Sequence, residues 1–172
     1  NLDKLAATGA RLTQFYTQPL CTPTRAALMT GRYPLRYGLQ TGVIPSGASY
    51  GLDPEEVLLP QILKEAGYST ALVGKCHLGH ADQKFWPRQR GFDHFYGPLV
   101  GEIDHFKHEA HGVTDWYRNN ELVTEPGYDT ALFGADAIRV IEAHDPASIQ
   151  PFDGKEERHE AVGNDSRVQR PR

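Results

Sequence analysis

The spacing of apolar positions changes several times along the chain, and each change marks an element. Leu2, Leu5 and Ala6 fall at helical spacing, and beyond Gly9 the residues Leu12, Gln14 and Tyr16 alternate, so the opening reads as helix, turn and strand. Thr22 offers a hydroxyl cap, Pro23 suits a first helical turn, and residues 25–30 are mostly good helix formers before Gly31 ends the element. Cys21 is thereby placed at a helix N-terminus. After a loop punctuated by Gly and Pro from Pro34 to Pro54, Leu58, Leu59, Ile62, Leu63 and Ala66 recur at helical spacing up to Gly67. Ser69 to Val73 then forms a short β-rich run.

Helix followed by strand is the rhythm of an α/β protein with a largely parallel sheet flanked by helices. Ligands of such sheets bind beyond the carboxyl ends of the strands, where Lys75 and His77 fall. Further on, Tyr117 to Val123, with Asn119-Asn120 at its centre, reads as a hairpin. Residues 129–143 carry Leu132, Phe133, Ala137, Ile138 and Ile141 at helical spacing, which predicts a core-facing helix. Beyond Asp145-Pro146 the character changes: charged residues dominate from Asp153, with Ala161-Val162 the one apolar pair. Residues 1–146 therefore read as domain and 147–172 as a tail that is disordered or foreign to the fold.

Composition narrows the class. The 172 residues are 39% hydrophobic and 23% charged, the balance of a globular chain. No run of about 18 apolar residues occurs, so no membrane span is expected. The start, Asn1-Leu2-Asp3-Lys4, has neither part of a signal peptide. A net charge of -4 with scattered Lys and Arg provides no basic field for nucleic acid, so an anionic ligand has to be held by local charges. Two cysteines are too few for a disulfide scaffold.

The most informative stretch is Cys21-Thr22-Pro23-Thr24-Arg25, continuing to Thr30-Gly31-Arg32. Residues 21 and 25 are one helical turn apart, so the guanidinium can reach back over Cys21, where the helix N-terminus adds its own positive end. Taken alone, a single Cys is more often a small buried hydrophobe. The second stretch is Gly74-Lys75-Cys76-His77-Leu78-Gly79. At strand spacing Lys75 and His77 share one face and can converge on one anion, with Cys76 pointing the other way. A surface Lys beside a structural His is the ordinary reading of that pair in isolation.

Together the two stretches resemble the signatures of the sulfatase family, C-x-P-x-R with a small-residue helix and Thr-Gly-Arg, and G-K-x-H-L-G. The likeness extends through Asn1 to Ala6, Gly31-Arg32-Tyr33, Leu59 to Tyr68, Arg90-Gly91-Phe92-Asp93 and Asp115 to Arg118. It covers residues 1–146, most closely with the arylsulfatase B-like branch. The resemblance implies an alkaline-phosphatase-like α/β fold, present in part, and hydrolysis of sulfate monoesters of a carbohydrate or aryl alcohol. It also implies a periplasmic, secreted or lysosomal setting. Cys21 would be converted by a formylglycine-generating enzyme to formylglycine, whose hydrated aldehyde is the nucleophile. The second oxygen of the gem-diol allows sulfate to be expelled without a separate water attack, which a thiol cannot do. Lys75 would contact sulfate and formylglycine, and His77 a formylglycine hydroxyl.

Where the family has Trp this chain has Cys76, a change that predicts a void costing on the order of 3 kcal/mol. A Cys21–Cys76 disulfide is disfavoured by the opposed directions of the two side chains. The family's calcium ion is held by an Asp-Asp pair and an Asp-Asn pair that the matched positions lack, leaving only modified Cys21 as a ligand, so little turnover is expected of these residues alone. Two other groups are set aside. His105, His108, Glu109 and His111 lack the H-E-x-x-H spacing of a zinc site and read as a polar loop. Glu55-Glu56 reads as a helix start that favours the macrodipole. A non-catalytic binding module and a related phosphatase or phosphonate hydrolase stand as alternatives.

Overall fold

A computed structural model describes residues 1–145; the tail expected over 147–172 lies outside the described residues. The chain opens with helix α1 (Leu2–Thr8), none of whose residues is buried. The strand expected next does not form. Leu12, Phe15 and Tyr16 are 70, 66 and 86% exposed. Alternation suits a strand, but without a neighbour to take its N–H and C=O groups the segment stays irregular.

Helix α2 (Cys21–Thr30) follows, and Gly31, with φ 64°, closes it by donating its N–H to Ala27. No side chain caps its start. The Thr22 hydroxyl expected there is used elsewhere, as described below. Helix α3 (Leu59–Glu65) starts after Leu58, whose N–H donates to the Gln61 side chain at 2.8 Å. Glu55 and Glu56 precede that start in a turn rather than forming it, and Glu56 pairs with Arg32 at 2.6 Å. The pairing replaces the macrodipole role expected of the two carboxylates.

The sheet is mixed. Strand β1 (Ala71–Val73) runs parallel to β2 (His94–Gly97), with Leu72 opposite Phe95. A separate hairpin joins β3 (Glu109–Ala110) to β4 (Val113–Thr114). Strand β5 (Tyr117–Arg118) pairs antiparallel with β2 and with β6 (Glu121–Leu122), giving the order β1-β2-β5-β6. The β5–β6 turn is at Asn119-Asn120, as the spacing predicts, and Asn119 takes φ 58°. Gly97 allows the two parallel strands to end in contact, because a Cβ there would lie 2.5 Å from the Gly74 carbonyl oxygen.

Helix α4 (Asp129–Ala143) occupies the range the periodicity predicts. Its apolar stripe is only partly covered. Leu132 and Phe133 are half-buried, whereas Ile138 and Ile141 are 57 and 73% exposed. Four strands of two to four residues are too narrow to cover the whole stripe. The core proper gathers Ala26, Ile44, Leu52, Leu58, Phe95 and Leu99 between α2 and the sheet. Beside it Trp116 meets Tyr96 edge-on at 5.0 Å and stacks on His108 at 4.2 Å. His108 is buried there rather than lining a polar loop.

Candidate active site at the carboxyl ends of two parallel strands

β1 and β2 point their carboxyl ends the same way, and the segments beyond them stay paired. Cys76 N–H donates to Pro98 at 3.0 Å and His77 N–H to Leu99 at 3.1 Å. Residues 74–78 are nevertheless not a strand: Gly74 and His77 take φ 116° and 58°. The separation of side chains expected from strand alternation arises from this turned backbone instead. Cys76 enters the core and His77 lines a cavity.

That cavity, about 310 Å³, also holds Cys21, the first residue of α2, with Ile44, Gly101 and Glu102 on its walls. Cys21 is exposed and Cys76 buried, and both are free thiols. Burial pushes the Cys76 thiol up to about 11.

Three hydrogen bonds close a ring around His77. Thr22 Oγ1 donates to the His77 carbonyl at 3.0 Å, Ile44 N–H donates to Thr22 Oγ1 at 3.1 Å, and His77 Nε2 lies 2.9 Å from the Ile44 carbonyl. A carbonyl can only accept, so Nε2 carries the proton and Nδ1 is a bare lone pair. Nδ1 is buried and has no hydrogen-bond partner. Burial lowers the proton affinity of His77, against the raising effect of the Ile44 bond, and the charges of Lys75, Arg25 and His80 lower it further. Burial and the neighbouring charges thus favour the neutral imidazole. Gly101 makes room for it, since a Cβ there would lie 2.5 Å from His77 Cε1.

The Arg25 guanidinium donates to the Lys75 carbonyl at 2.6 Å, so it clips α2 to the loop after β1. Of the four residues expected at the site, Cys21 and His77 line the cavity. Arg25 and Lys75 do not line it, though their charges act on His77. Thr22, Ile44 and Gly101 were not indicated by sequence. The histidines further on diverge: His105 pairs with Asp129 at 2.8 Å, His108 stacks on Trp116, and His111 lies between β3 and β4. Among the described residues no group of three His, Cys, Asp or Glu side chains converges as a metal site would require. The calcium expected from the resemblance takes about six oxygen ligands, and the described residues do not fit it.

A side chain at a helix N-terminus, facing loops beyond parallel strands, is the site geometry of an α/β protein. The chain belongs to the sulfatase family: residues 1–152 match the model described as Sulfatase. The chain is 40% identical over 153 residues to arylsulfatase J of Mus musculus, covering 84% of this chain and 26% of that protein. It is 40% identical over 131 residues to human N-acetylgalactosamine-6-sulfatase, covering 72% and 25%. Among solved structures it superposes on Ps i-CgsB in complex with k-i-k-neocarrahexaose with a TM-score of 0.73 at 31% identity, covering 83% of this chain and 35% of that one. It thus spans about a quarter of the length of these curated relatives.

Proposed function

We propose that this chain carries the nucleophile side of a sulfuric ester hydrolase site, with position 21 as the nucleophile and sulfate monoesters of carbohydrates or aryl alcohols as substrates. The observation that carries this reading is the shared cavity of Cys21 and His77, with His77 in reach of the charges of Arg25 and Lys75. The N-terminus of a ten-residue helix and two cations favour a tetrahedral anion at that point. Formylglycine, made from Cys21 by a formylglycine-generating enzyme, supplies the geminal hydroxyls that act as nucleophile and later release sulfate. His77 contributes a neutral ring whose Nδ1 can accept a proton from a hydroxyl in the cavity. The membership in the sulfatase family and the carbohydrate sulfatase among the relatives support the substrate class.

The test is co-expression with a formylglycine-generating enzyme, then mass spectrometry of the tryptic peptide spanning residues 12–25. Replacement of the Cys21 sulfur by aldehyde oxygen is expected. An intact thiol, under conditions where a control signature peptide is converted, would overturn the assignment of position 21.

A further inference from the structure

The cavity at Cys21 adjoins a second one of about 400 Å³, and Ser46, Val100 and His111 line both. Its fixed wall comes from the loop after β1: His80 Nε2 donates to the Ser46 carbonyl at 2.7 Å, and Trp86 Nε1 donates to the His80 carbonyl at 2.8 Å. The opposite wall is the β3–β4 hairpin. His111 and Gly112 form its two-residue turn with φ 51° and 81°, the mirror-image turn that matches strand twist, and this holds His111 at the boundary between the cavities.

The two cavities differ from the ground behind Cys21 in charge. Among the described residues no Lys or Arg lines either one, whereas exposed Glu102 lines the first, and Asp115, buried and bonded to the Val100 N–H, lies in the wall of the second. The cations Arg25 and Lys75 act on His77 and line neither cavity. A leaving group with a carboxylate or a second sulfate would meet the Glu102 carboxylate and, among the described residues, no Lys or Arg to offset it. An uncharged ring with hydroxyls meets what it needs: the apolar side chains of Val100 and Val113 for its C–H face, and imidazole and hydroxyl groups for its rim.

Resting on the sulfatase reading above, we infer that the second cavity receives the alcohol portion of the ester, and that this portion is an uncharged sugar ring. His111 and Glu102 are the specificity-determining residues, the first by contact with the ring and the second by repelling further anionic groups.

The experiment measures binding to the complete 172-residue chain by calorimetry and saturation-transfer NMR. The probes are inorganic sulfate, methyl galactoside 6-sulfate, a monosulfated disaccharide with a uronate, and the unsulfated methyl galactoside and methyl glucuronide. The neutral sugar sulfate is expected to bind about tenfold more tightly than the uronate compound, a preference of the size one partly screened like-charge contact at a protein surface produces. Glu102→Gln should bring the two within about threefold of each other. His111→Gly keeps the turn, because glycine accepts the positive φ, and should weaken the sugar sulfate about tenfold, more than it weakens inorganic sulfate. Equal or tighter binding of the uronate compound, or a His111→Gly chain that binds every probe as before, would overturn the inference. Glu102 is exposed, so its variant reads the charge effect even if the hairpin variant does not fold. Failure of inorganic sulfate to bind, with His111-dependent preference for galactoside over glucuronide retained, would remove the sulfatase reading of the first cavity and leave the second assignment standing.

Discussion

The hydroxyl of Thr22 lies 3.0 Å from the carbonyl oxygen of His77, joining the second residue of α2 to the loop after β1 across 55 positions of sequence. Thr22 Oγ1 also accepts the Ile44 N–H, and the Ile44 carbonyl accepts from the His77 ring. One hydroxyl therefore fixes the height of the helix against the imidazole.

Thr22→Val preserves shape and removes the hydroxyl, leaving a buried N–H and a buried C=O without partners. A loss of about 1–3 kcal/mol is expected. Urea unfolding measures it. Thr22→Ser, which keeps the oxygen, should recover most of the loss, and equal destabilisation by both variants would show that the hydroxyl is not what matters.

Gly101→Ala tests how the imidazole is seated. The added methyl would fall 2.5 Å from Cε1 of a ring whose Nε2 is fixed to Ile44. Overpacking of this kind costs about 1–3 kcal/mol. Because the ring must move, the histidine NMR resonances of His77 should shift as well. Unchanged resonances would place the strain elsewhere.

Much of this arrangement was legible in sequence, and the rest was not for a physical reason. Periodicity reports which face of a helix is apolar, and α4 and the Asn119-Asn120 hairpin follow from it. It does not report what covers that face, so Ile138 and Ile141 are exposed beside a narrow sheet. Nor does alternation supply a partner strand, which is why residues 12–16 stay irregular. The positions of Cys21 and His77 could be singled out from their signature residues. Thr22, Ile44 and Gly101 could not, since their contacts with His77 span 55, 33 and 24 positions and belong to no repeat.

Acidification should weaken the fold through His77. Its folded proton affinity lies below the ordinary value of 6.5, burial being the largest cause. The unfolded chain therefore takes up the proton first. The stability supplied by the neutral ring is complete above 6.5 and is lost as pH falls from there through the folded value. His77→Gln, which can still donate to Ile44, should show a smaller drop in urea midpoint between about pH 7 and pH 5 than the parent chain. An identical pH dependence in the two proteins would mean that His77 is not the titrating group.

The two thiols should separate by reactivity. Cys21 is exposed, whereas Cys76 is 6% exposed and its thiol is pushed up to about 11 by burial. Since the thiolate is the reactive form, iodoacetamide at about pH 8 should label Cys21 and spare Cys76 until the chain is unfolded. Peptide mapping of the labelled sites decides it; equal labelling in the folded protein would contradict the core position of Cys76. Cys76 is packed with Leu78, Phe95 and Leu99 in the core cluster.

The attachment of α4 to the sheet depends on one buried carboxylate. Asp136 accepts from Arg118 at 2.6 Å and lies 2.6 Å from His94 Nε2, and Arg139 on its own helix also pairs with it. Burial alone would raise its pKa, but the bonds from His94 and Arg118 outweigh burial and hold it below the usual 3.8. Its contribution is thus present above 3.8 and is lost as pH falls through the folded value. Asp136→Asn keeps the shape and removes the charge that two arginines face, with an expected cost of about 1–3 kcal/mol. The partners are partly exposed, with Arg139 at 57%, so the larger penalty of a fully buried pair does not apply. Arg139→Ala should cost under about 1 kcal/mol, as exposed pairs do. Urea titrations of both variants, followed by helical circular dichroism, test this ordering. A larger loss from Arg139→Ala than from Asp136→Asn would show that α4 is held by its own surface rather than by the bridge to β2 and β5.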